Sequence, residues 1–385
     1  MAISLPLLDK NVFTIKDLKE MGSKNLPVAV RDYINHGSMD LLSIQDNEDV
    51  FNRYKLRPRT LKDVATVDTS TTMFGTKVRI LTPYGTLVLT NPPVSFPFGF
   101  SPAAMHALAH SDGEIATSRA AAKNGVAMAL SSYSSKNLED VIDEARGNPY
   151  MIHVCFYKDR TKTLEIIKRA EEAGFKAVMV SVDIPVLGIR PNEHRNNWAV
   201  PAGITMPMLA DENGVMHHDA DYLQLDPSLT WEETIKYLRQ HTKMEIWLKG
   251  ITSAEDISLA IDHGVDGVLI SNHGGRQLDG VPASLDALRE CAPVARNKIK
   301  LGIDGGFRRG SDIFKALALG ADFCLAGRVP MWGLAYKGEE GVDLALRILL
   351  REFRTTMALC GCRSVNEISK AHLSVLGTSG GLCKL

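Results

Sequence analysis

Short apolar runs alternate with amphipathic stretches along most of the chain. The apolar runs are brief and several are rich in Val and Ile, which is typical of parallel strands buried on both faces. Most of their starts are separated by the length of one strand–helix unit. We predict eight strands, at residues 96–100, 126–130, 150–156, 177–183, 245–249, 267–271, 300–304 and 323–326.

Helices with recognisable ends lie between most of these strands. After the fifth strand, Ser253 is a candidate N-cap for a helix that Gly264 can end. After the seventh strand, Ser311 and Asp312 open a helix that Gly320 can close. The strands therefore alternate with helices through the middle and end of the chain.

Eight strand–helix units predict a closed (β/α)₈ barrel, a TIM barrel, of the α/β class. The alternative is an open doubly wound sheet. That fold carries a glycine fingerprint after its first strand, whereas residues 101–105 here are Ser-Pro-Ala-Ala-Met. We therefore predict one domain over residues 1–385, with the barrel at 95–360 and a helical segment at 1–60 before it.

One connection is much longer than the others. Residues 190–230 separate the fourth strand from its helix and contain many Gly, Pro, Asn and Asp residues. We predict that this segment folds over the active face as a lid. It includes His217, His218 and Asp219, which are metal-ligand types, but a solvated loop is the favoured interpretation. We predict no metal site.

Composition narrows the classes of function. The 385 residues are 45% hydrophobic and 23% charged, with a net charge of −1. The near-zero charge argues against nucleic acid or an anionic membrane as a partner. No apolar run reaches the length of about 18 residues that a membrane span needs, and the first ten residues do not resemble a secretory signal. The six cysteines are scattered, which favours a reducing intracellular compartment.

The last three residues, Cys383, Lys384 and Leu385, resemble the peroxisomal address Ser-Lys-Leu. Residues 377–381 before them are rich in glycine, and we expect a flexible tail of the kind that a receptor can bind. A chance match of three residues is the alternative. We predict a peroxisomal protein, or a cytoplasmic one if the tripeptide has no function.

Two glycine–arginine loops predict an anion site. The active site of a TIM barrel lies at the C-terminal ends of its strands, and the loops after strands seven and eight commonly hold a phosphate. Here Gly305, Gly306 and Gly327 let backbone N–H groups approach an anion, and Arg308 and Arg328 add charge-assisted hydrogen bonds. We predict a phosphate handle on a bound cofactor or substrate. Ordinary glycine turns with solvated arginines are the alternative.

A candidate base follows the sixth strand. His273 lies before two glycines, so its ring projects from a short backbone into open space. Asp183 could hydrogen-bond one ring nitrogen, and Arg276 offers a fork that matches a carboxylate. A lone histidine is more often structural, but this one has an acid partner and an arginine neighbour. The three residues suit removal of a proton from a 2-substituted acid.

Residues 271–279 and 304–309 together resemble the FMN-dependent α-hydroxy-acid oxidase family, which includes glycolate oxidase and lactate oxidase. The similarity extends from about Val30 to His372, most of the chain. It implies an FMN cofactor and oxidation of an (S)-2-hydroxy acid to the 2-oxo acid, with O₂ as acceptor and H₂O₂ as product. It also implies a homo-oligomer, a tetramer in the family. The alternatives are a dehydrogenase with another electron acceptor and a flavin-binding homologue with weak or no turnover.

The resemblance assigns roles to individual residues. His273 is the catalytic base with Asp183 as its partner, Arg276 and Tyr33 hold the substrate carboxylate, and Arg190 is a second active-site arginine. The positions that contact the flavin ring and ribityl chain are Ala103, Ala104, Ser131, His153, Ser181, Lys249, Ser271 and Asp304. The phosphate cradle is Gly306, Arg308, Gly327 and Arg328. Lys249 falls at the flavin N1–O2 edge, where a positive charge stabilises the reduced anion.

The substrate wall departs from the family. Its third strand usually presents Gln-x-Tyr, with the tyrosine on the substrate, and this chain has His153 and Cys155 there. A phenol donor is thus replaced by a small, weakly donating thiol. Tyr133 replaces a tryptophan that is common in the family. We therefore expect a different and larger hydroxy acid than glycolate. An impaired site is one alternative, and donation by His153 or Tyr133 instead is another.

Residues 79–94 form an insertion relative to the family, which runs directly from a Gly-x-Lys-Val segment to a Ser-x-Pro strand. One interpretation is a real hairpin with its turn at Tyr84 and Gly85. The other is a translated intron or a similar gene-model artefact. The sequence favours neither.

Overall fold

The N-terminal segment forms three helices and a short strand in the computed structural model, which describes residues 7–74, 94–210, 224–376 and 381–385, and the backbone of 78–82 and 85–89. The helices are α1 (Ile15–Lys24), α2 (Val28–Asn35) and α3 (Leu42–Arg53), and the strand is β1 (Tyr54–Leu56). The predicted helical segment at 1–60 is therefore confirmed within the described residues. Strands β2 (Val78–Thr82) and β3 (Gly85–Leu89) follow.

The next eight strands close into a parallel barrel in which neighbours follow chain order. They are β4 (Phe98–Phe100), β5 (Ala127–Ser131), β6 (Tyr150–Val154), β7 (Ala177–Ser181), β8 (Glu245–Ile251), β9 (Gly267–Ile270), β10 (Lys300–Asp304) and β11 (Phe323–Ala326). All eight predicted strands are present and the open sheet is excluded. Strand β6 ends before its predicted limit at 156 because Tyr157 pairs with Leu225 of the lid instead.

Helices surround the barrel. They are α4 (Gly113–Lys123), α5 (Leu138–Asp143), α6 (Arg160–Ala173), α7 (Pro191–Arg195), α8 (Trp231–His241), α9 (Ala254–Asp262), α10 (Ser284–Ala295), α11 (Gly310–Leu319) and α12 (Arg328–Cys360). The predicted boundaries of α9 are confirmed, since the Ser253 side chain accepts from the Asp256 N–H. Helix α11 begins at Gly310 and ends at Gly320, whose φ of +118° suits glycine.

Hydrogen bonds join the N-terminal segment to helix α12 and to the C-terminal face of the barrel. The Asn25 side chain donates to the Ala335 carbonyl of α12 at 2.9 Å. The turn between α2 and α3 reaches the C-terminal face, where the Ser38 N–H donates to the Gly275 carbonyl at 2.9 Å. This contact explains how residues so early in the chain can contribute to a site built by the barrel.

The barrel interior has an apolar lower half and a polar upper half. The lower side chains come from the strands and include Ala177, Trp247 and Phe323. Met73 and Phe74 close the N-terminal opening, with the Phe74 ring 6.2 Å from Trp247 and 5.9 Å from Phe323. Burial of such large side chains stabilises the fold by about 1.5–3 kcal/mol each. The lower half is therefore packed solid, and only the upper half can hold a ligand.

The insertion at 79–94 lies near this closed end. Strands β2 and β3 pair as an antiparallel hairpin from Val78 opposite Leu89 to Thr82 opposite Gly85. The predicted hairpin is therefore present, although the turn residue Tyr84 lies outside the described residues. Thr71 and Val94 exchange two backbone hydrogen bonds of 3.2 and 2.8 Å. The chain thus leaves and re-enters the fold at one place, far from the C-terminal face.

Within the predicted lid, the structure describes residues 190–210 and 224–230. Residues 190–210 include α7 and a buried group around Met206, Met208 and Leu209. The segment 211–223, with His217, His218 and Asp219, lies outside the described residues. Within the part of the chain that the structure describes, no group of three His, Cys, Asp or Glu side chains could hold a metal. No described helix is long and apolar enough to cross a membrane.

The chain ends in a small separate sheet. Strand β12 (Leu373–Leu376) pairs with β1 on one side and with β13 (Leu382–Lys384) on the other. Cys383 lies opposite Val375 in this register. Of the segment 377–381 that was expected to be flexible, residues 377–380 lie outside the described residues. In the C-terminal tripeptide, Cys383 and Lys384 belong to β13.

Candidate active site

The polar upper half of the barrel is made of side chains at the C-terminal ends of the strands. Each strand contributes in turn, and the alternation of strand side chains points these residues inward. Six of the predicted flavin-contacting residues belong to this layer, namely Ser131, His153, Ser181, Lys249, Ser271 and Asp304, and all six are buried. Ala103 and Ala104 lie in the loop after β4 and are partly exposed. The fold therefore brings the predicted set together.

His273 and Asp183 are in direct contact. The His273 Nδ1 atom lies 3.0 Å from Asp183 Oδ2 and 3.1 Å from Oδ1. The His273 N–H donates to Ser271 Oγ at 3.0 Å, and the residue has a φ of +58°. A positive φ is uncommon for residues other than glycine and is often retained at functional sites. This strained turn places the second ring nitrogen, Nε2, away from Asp183.

The electrostatics suit a neutral base beside an ionised acid. Burial and the nearby Lys249 ammonium lower the pKa of His273 below its usual 6.5, against the opposing effect of Asp183. Burial alone would raise the pKa of Asp183, but His273 and Lys249 outweigh it and lower that pKa. At neutral pH the histidine is therefore unprotonated and free to accept a proton. The imidazolium that would form is stabilised by the carboxylate.

Two arginines and an aromatic pair stand beside His273. The Arg276 guanidinium lies 4.7 Å above the Tyr33 ring and donates to the Tyr33 carbonyl at 2.6 Å. Arg190 donates to the Arg276 carbonyl at 3.0 Å. The Tyr33 ring is itself stacked on Trp198 of the lid, with centroids 4.3 Å apart. The predicted trio of Arg276, Tyr33 and Arg190 is thus assembled by three separate segments of the chain.

The predicted phosphate arginines are also held in place. Arg308 is paired with Glu48 at 2.6 Å and lies 4.6 Å from the Trp332 ring. Arg328 donates to the carbonyls of Ile34 and Gly274 at 2.9 and 3.0 Å. Burial, together with the charges of Arg276 and Arg308, lowers the pKa of Arg328 to about 9. A buried group of cations with this mutual repulsion favours an anion.

The glycine loop supports the predicted cradle for a partly different reason. Gly305 and Gly306 have φ of +103° and +80°. A Cβ atom at Gly306 would lie 1.8 Å from the Asn47 carbonyl oxygen of α3. Gly306 is therefore required by close packing against the N-terminal segment, which the sequence did not reveal. At Gly327 a Cβ would meet nothing closer than 4.0 Å, so open space lies beside that backbone.

Seven buried side-chain atoms of the described residues make no hydrogen bond, and three of them belong to predicted cofactor contacts. These three are His153 Nδ1, Asp304 Oδ1 and Arg308 Nε. Other atoms of these groups are paired, with His153 Nε2 2.9 Å from Ser181 Oγ and Asp304 Oδ2 accepting from Ser101 Oγ at 2.6 Å. Leaving such atoms unpaired is costly. Their spread from β6 to the phosphate loop fits an elongated polar group with an anionic end.

The substrate wall is less polar. Cys155 is buried, and burial and the nearby Asp183 raise the pKa of its thiol to about 12. Burial also raises the pKa of Tyr133. The Tyr133 ring contacts Tyr157 edge to face, with centroids 6.5 Å apart and an interplanar angle of 64°. A protonated thiol and protonated phenols therefore form this wall.

Sequence reasoning missed several residues of the site. Glu193 lies 3.3 Å from Arg190 and 3.4 Å from Arg276. The Gln277 side chain donates to the carbonyls of Asp183 and Val186 at 3.0 and 2.9 Å and so fixes the Asp183 loop. Nothing in the local pattern marks Glu193. Gln277 lies inside the 271–279 motif, but its partners in the Asp183 loop are distant in sequence.

The sequence also did not predict the contacts that Asp279 makes with α3 and Trp198 makes with Tyr33. Asp279 closes the recognised 271–279 motif, and its carboxylate accepts from the Ser43 N–H at the start of α3 at 2.8 Å. It thus joins the motif to the N-terminal segment. Trp198 supports Tyr33, as described above. Asp279, like Gln277, had a signal in the sequence, namely its place in the motif.

A barrel with a buried cation cluster, unpaired ligand-facing atoms and a histidine–aspartate pair defines an enzyme that binds a phosphate-bearing cofactor. The chain belongs to the FMN-dependent dehydrogenase family, whose model matches residues 22–375. FMN is accordingly its cofactor, and the enzyme is an oxidoreductase of the 2-hydroxy-acid oxidase type.

Named relatives agree with this assignment. The chain is 46% identical to "Oxidase FUB9" of Fusarium oxysporum f. sp. lycopersici, over 96% of this chain and 93% of that protein. It is 39% identical to "2-Hydroxyacid oxidase 1" of Mus musculus, over 92% and 95% of the two chains. Among solved structures, mandelate oxidase superposes with a TM-score of 0.83 at 32% identity, covering 97% of this chain and 100% of that one.

Proposed function

We propose that this protein oxidises an (S)-2-hydroxy acid larger than glycolate to the corresponding 2-oxo acid and passes the electrons to O₂. The reaction balances as one hydroxy acid plus one O₂ giving one oxo acid plus one H₂O₂. The observation that carries the proposal is the contact between His273 and Asp183 within the same upper layer as the unpaired flavin-facing atoms.

The chain's own residues have distinct roles in this proposal. His273 Nε2 accepts the proton of the substrate hydroxyl or α-carbon, and Asp183 stabilises the imidazolium that forms. Arg276 and Arg190 bind the substrate carboxylate, with Tyr33 held beneath Arg276. Because Glu193 neutralises part of the charge of Arg190 and Arg276, a carboxylate substrate competes with it for these guanidinium groups.

The residues present fit FMN. Arg308, Arg328 and the 305–306 loop would hold its phosphate, Asp304 and Ser271 its ribityl chain, and Ser131, His153 and Ser181 its ring. Lys249 donates to Ser271 Oγ at 3.2 Å and is buried, so it offers a fixed positive charge in this layer. When bound, FMN supplies the two-electron acceptor that no protein side chain provides.

The small side chain at position 155 supports a larger substrate. Cys155 has the volume of a thiol where a ring would otherwise stand, and its protonated state removes any charge from that surface. Two relatives at 46% and 45% identity are named as oxidases, which supports O₂ as acceptor. Assembly as a homo-oligomer, a tetramer by resemblance, belongs to the proposal as well.

The test is anaerobic bleaching of the purified yellow protein by a panel of acids: glycolate, L-lactate, (S)-mandelate and (S)-2-hydroxyoctanoate. We expect the larger acids to reduce the flavin faster than glycolate. Admitting O₂ should then restore the oxidised spectrum within the turnover time and release one H₂O₂ per oxo acid. Slow reoxidation by O₂ would instead identify a dehydrogenase with another acceptor, and no bleaching by any acid would contradict the proposal.

We also propose that Cys383, Lys384 and Leu385 direct the protein to the peroxisome, where H₂O₂ can be destroyed. Because β13 engages this backbone, receptor binding requires the strand to separate from β12. A fluorescent fusion at the N-terminus should be peroxisomal, and deletion of the three residues should leave it in the cytosol. The same distribution with and without the three residues would show that they are not a peroxisomal address.

A further inference from the structure

The neighbouring strands β5 and β6 place residues 133 and 155 at the same end of the barrel. Ser131 lies opposite His153 in this parallel pair, and the Ser132 N–H donates to the His153 carbonyl at 2.8 Å. Tyr133, in the turn after β5, and Cys155, directly after β6, each follow one of these paired residues by two positions. The phenol that position 155 lacks is present at position 133.

The Tyr133 ring is fixed where it stands. Its N–H donates to Ser131 Oγ at 3.1 Å, and its carbonyl accepts from the Met105 N–H at 3.0 Å. Behind it, Tyr157 is completely buried and packs against its edge. The Tyr157 hydroxyl interacts with the hydroxyls of Tyr133 and Ser132, but neither contact reaches ordinary hydrogen-bond geometry. Tyr157 thus packs against Tyr133 and limits rotation of its ring.

Electrostatic interactions link Tyr133 to the reacting groups. Burial is the main cause that raises the pKa of Tyr133, and Cys155 and Tyr33 raise that pKa further. Asp183 and Lys249 in turn act on the pKa of Cys155. The arginines of this site match the substrate carboxylate and His273 accepts a proton, so the 2-oxygen of the substrate still needs a donor. The Cys155 thiol is a poor one.

We propose that the Tyr133 hydroxyl donates a hydrogen bond to the 2-oxygen of the substrate, and that Tyr157 is a positioning residue that holds it. The inference rests on the proposed function. It assigns the donor to the loop after β5 rather than to the strand position occupied by Cys155. The smaller side chain at 155 then leaves room for a substrate side chain while the hydrogen bond is kept.

The test removes one oxygen with Tyr133→Phe. We expect the limiting rate of anaerobic flavin reduction by the best acid of the panel to fall about 10- to 100-fold, the range for a hydrogen bond that strengthens in the transition state. Tyr157→Phe should give a smaller loss in the same direction. Tyr237→Phe is the matched control, because that phenol packs against Phe156 and lies outside the site; it should leave the rate unchanged.

A binding measurement separates hydrogen bonding from general damage. Octanoate and 2-oxooctanoate differ only in the 2-oxygen and can be titrated by the change in flavin absorbance. Tyr133→Phe should weaken 2-oxooctanoate about tenfold and leave octanoate unchanged. Equal weakening of both ligands, or of neither, would overturn the assignment. This measurement needs no turnover, so it still tests Tyr133 if no acid of the panel reduces the flavin.

A reciprocal variant moves the phenol to the other position. Tyr133→Trp alone should be slow, and Tyr133→Trp combined with Cys155→Tyr should recover reduction by glycolate to within about tenfold of the native protein. Loss of FMN or of thermal stability identifies variants that fail to fold, and Tyr133→Phe is then the deciding one. Native rates in Tyr133→Phe would contradict the proposal.

Discussion

The cofactor side and the substrate side of the active site differ in how they are built. On the cofactor side, Arg308 and Arg328 are anchored by Glu48 and by backbone carbonyls from the N-terminal segment. On the substrate side, Cys155 and Tyr133 form a wall of small and aromatic groups. The cofactor side binds FMN, which the whole family shares, so its charges and geometry are tightly constrained. The substrate side adapts to one substrate, and loss of one hydrogen-bond donor there requires a neighbouring residue to supply another.

The largest expected effect falls between the two sides, at His273. His273→Ala should keep FMN bound but slow anaerobic flavin reduction at least ~10²-fold, the lower end for a general base. His263→Ala, at a histidine that stacks on Trp231 away from the site, is the control. Stopped-flow absorbance measures the rate. Reduction at the native rate would remove His273 from the mechanism.

The next effect tests the cofactor side. Arg308→Ala should weaken FMN binding about 10- to 100-fold, because a buried charged donor to the phosphate is lost and Glu48 keeps only its longer ion pair with Lys19 at 3.6 Å. The neighbouring Arg309 is half exposed and pairs with Glu352 instead, so Arg309→Ala should retain native FMN affinity. Fluorescence of released FMN measures both. Equal affinities for the two variants would show that Arg308 does not contact the phosphate.

A smaller effect concerns pH. The base acts in its neutral form and its pKa is lowered, so kcat/KM should be flat above pH 6.5 and fall below the folded-state pKa as His273 becomes protonated. Asp183 raises the pKa of His273, so Asp183→Asn should move this acid limb to lower pH, with reduced rates. A limb unmoved by this substitution would show that another group titrates.

The smallest effect is expected from the insertion, which belongs to neither side. Deletion of residues 79–93 should leave FMN content and flavin reduction unchanged, because the hairpin joins the fold at Thr71 and Val94 near the closed end. Transcript sequencing tests its origin, since an artefact would be missing from transcripts. Loss of flavin on deletion, with transcripts that all carry the stretch, would establish a required element.

The sequence determined much of this protein because its strongest signals are local. Buried parallel strands are short apolar runs, several of them here rich in Val and Ile, so each of the eight barrel strands was visible. Caps such as Ser253 require particular side chains at helix ends and were visible for the same reason. Residues at strand ends, such as Lys249 and Asp304, could be assigned to one site because parallel strands end on one face.

Tertiary structure alone decided the contacts between distant segments. Gly306 is glycine because α3 packs onto it, and Glu193 and Gln277 act through partners far away in sequence. Cys383 and Lys384 of the C-terminal tripeptide pair with β12. The placement of Tyr133 and Cys155 at the same end of the barrel follows from the pairing of β5 with β6. These features depend on long-range packing, and a linear pattern of residue types carries no information about which distant backbone will approach it.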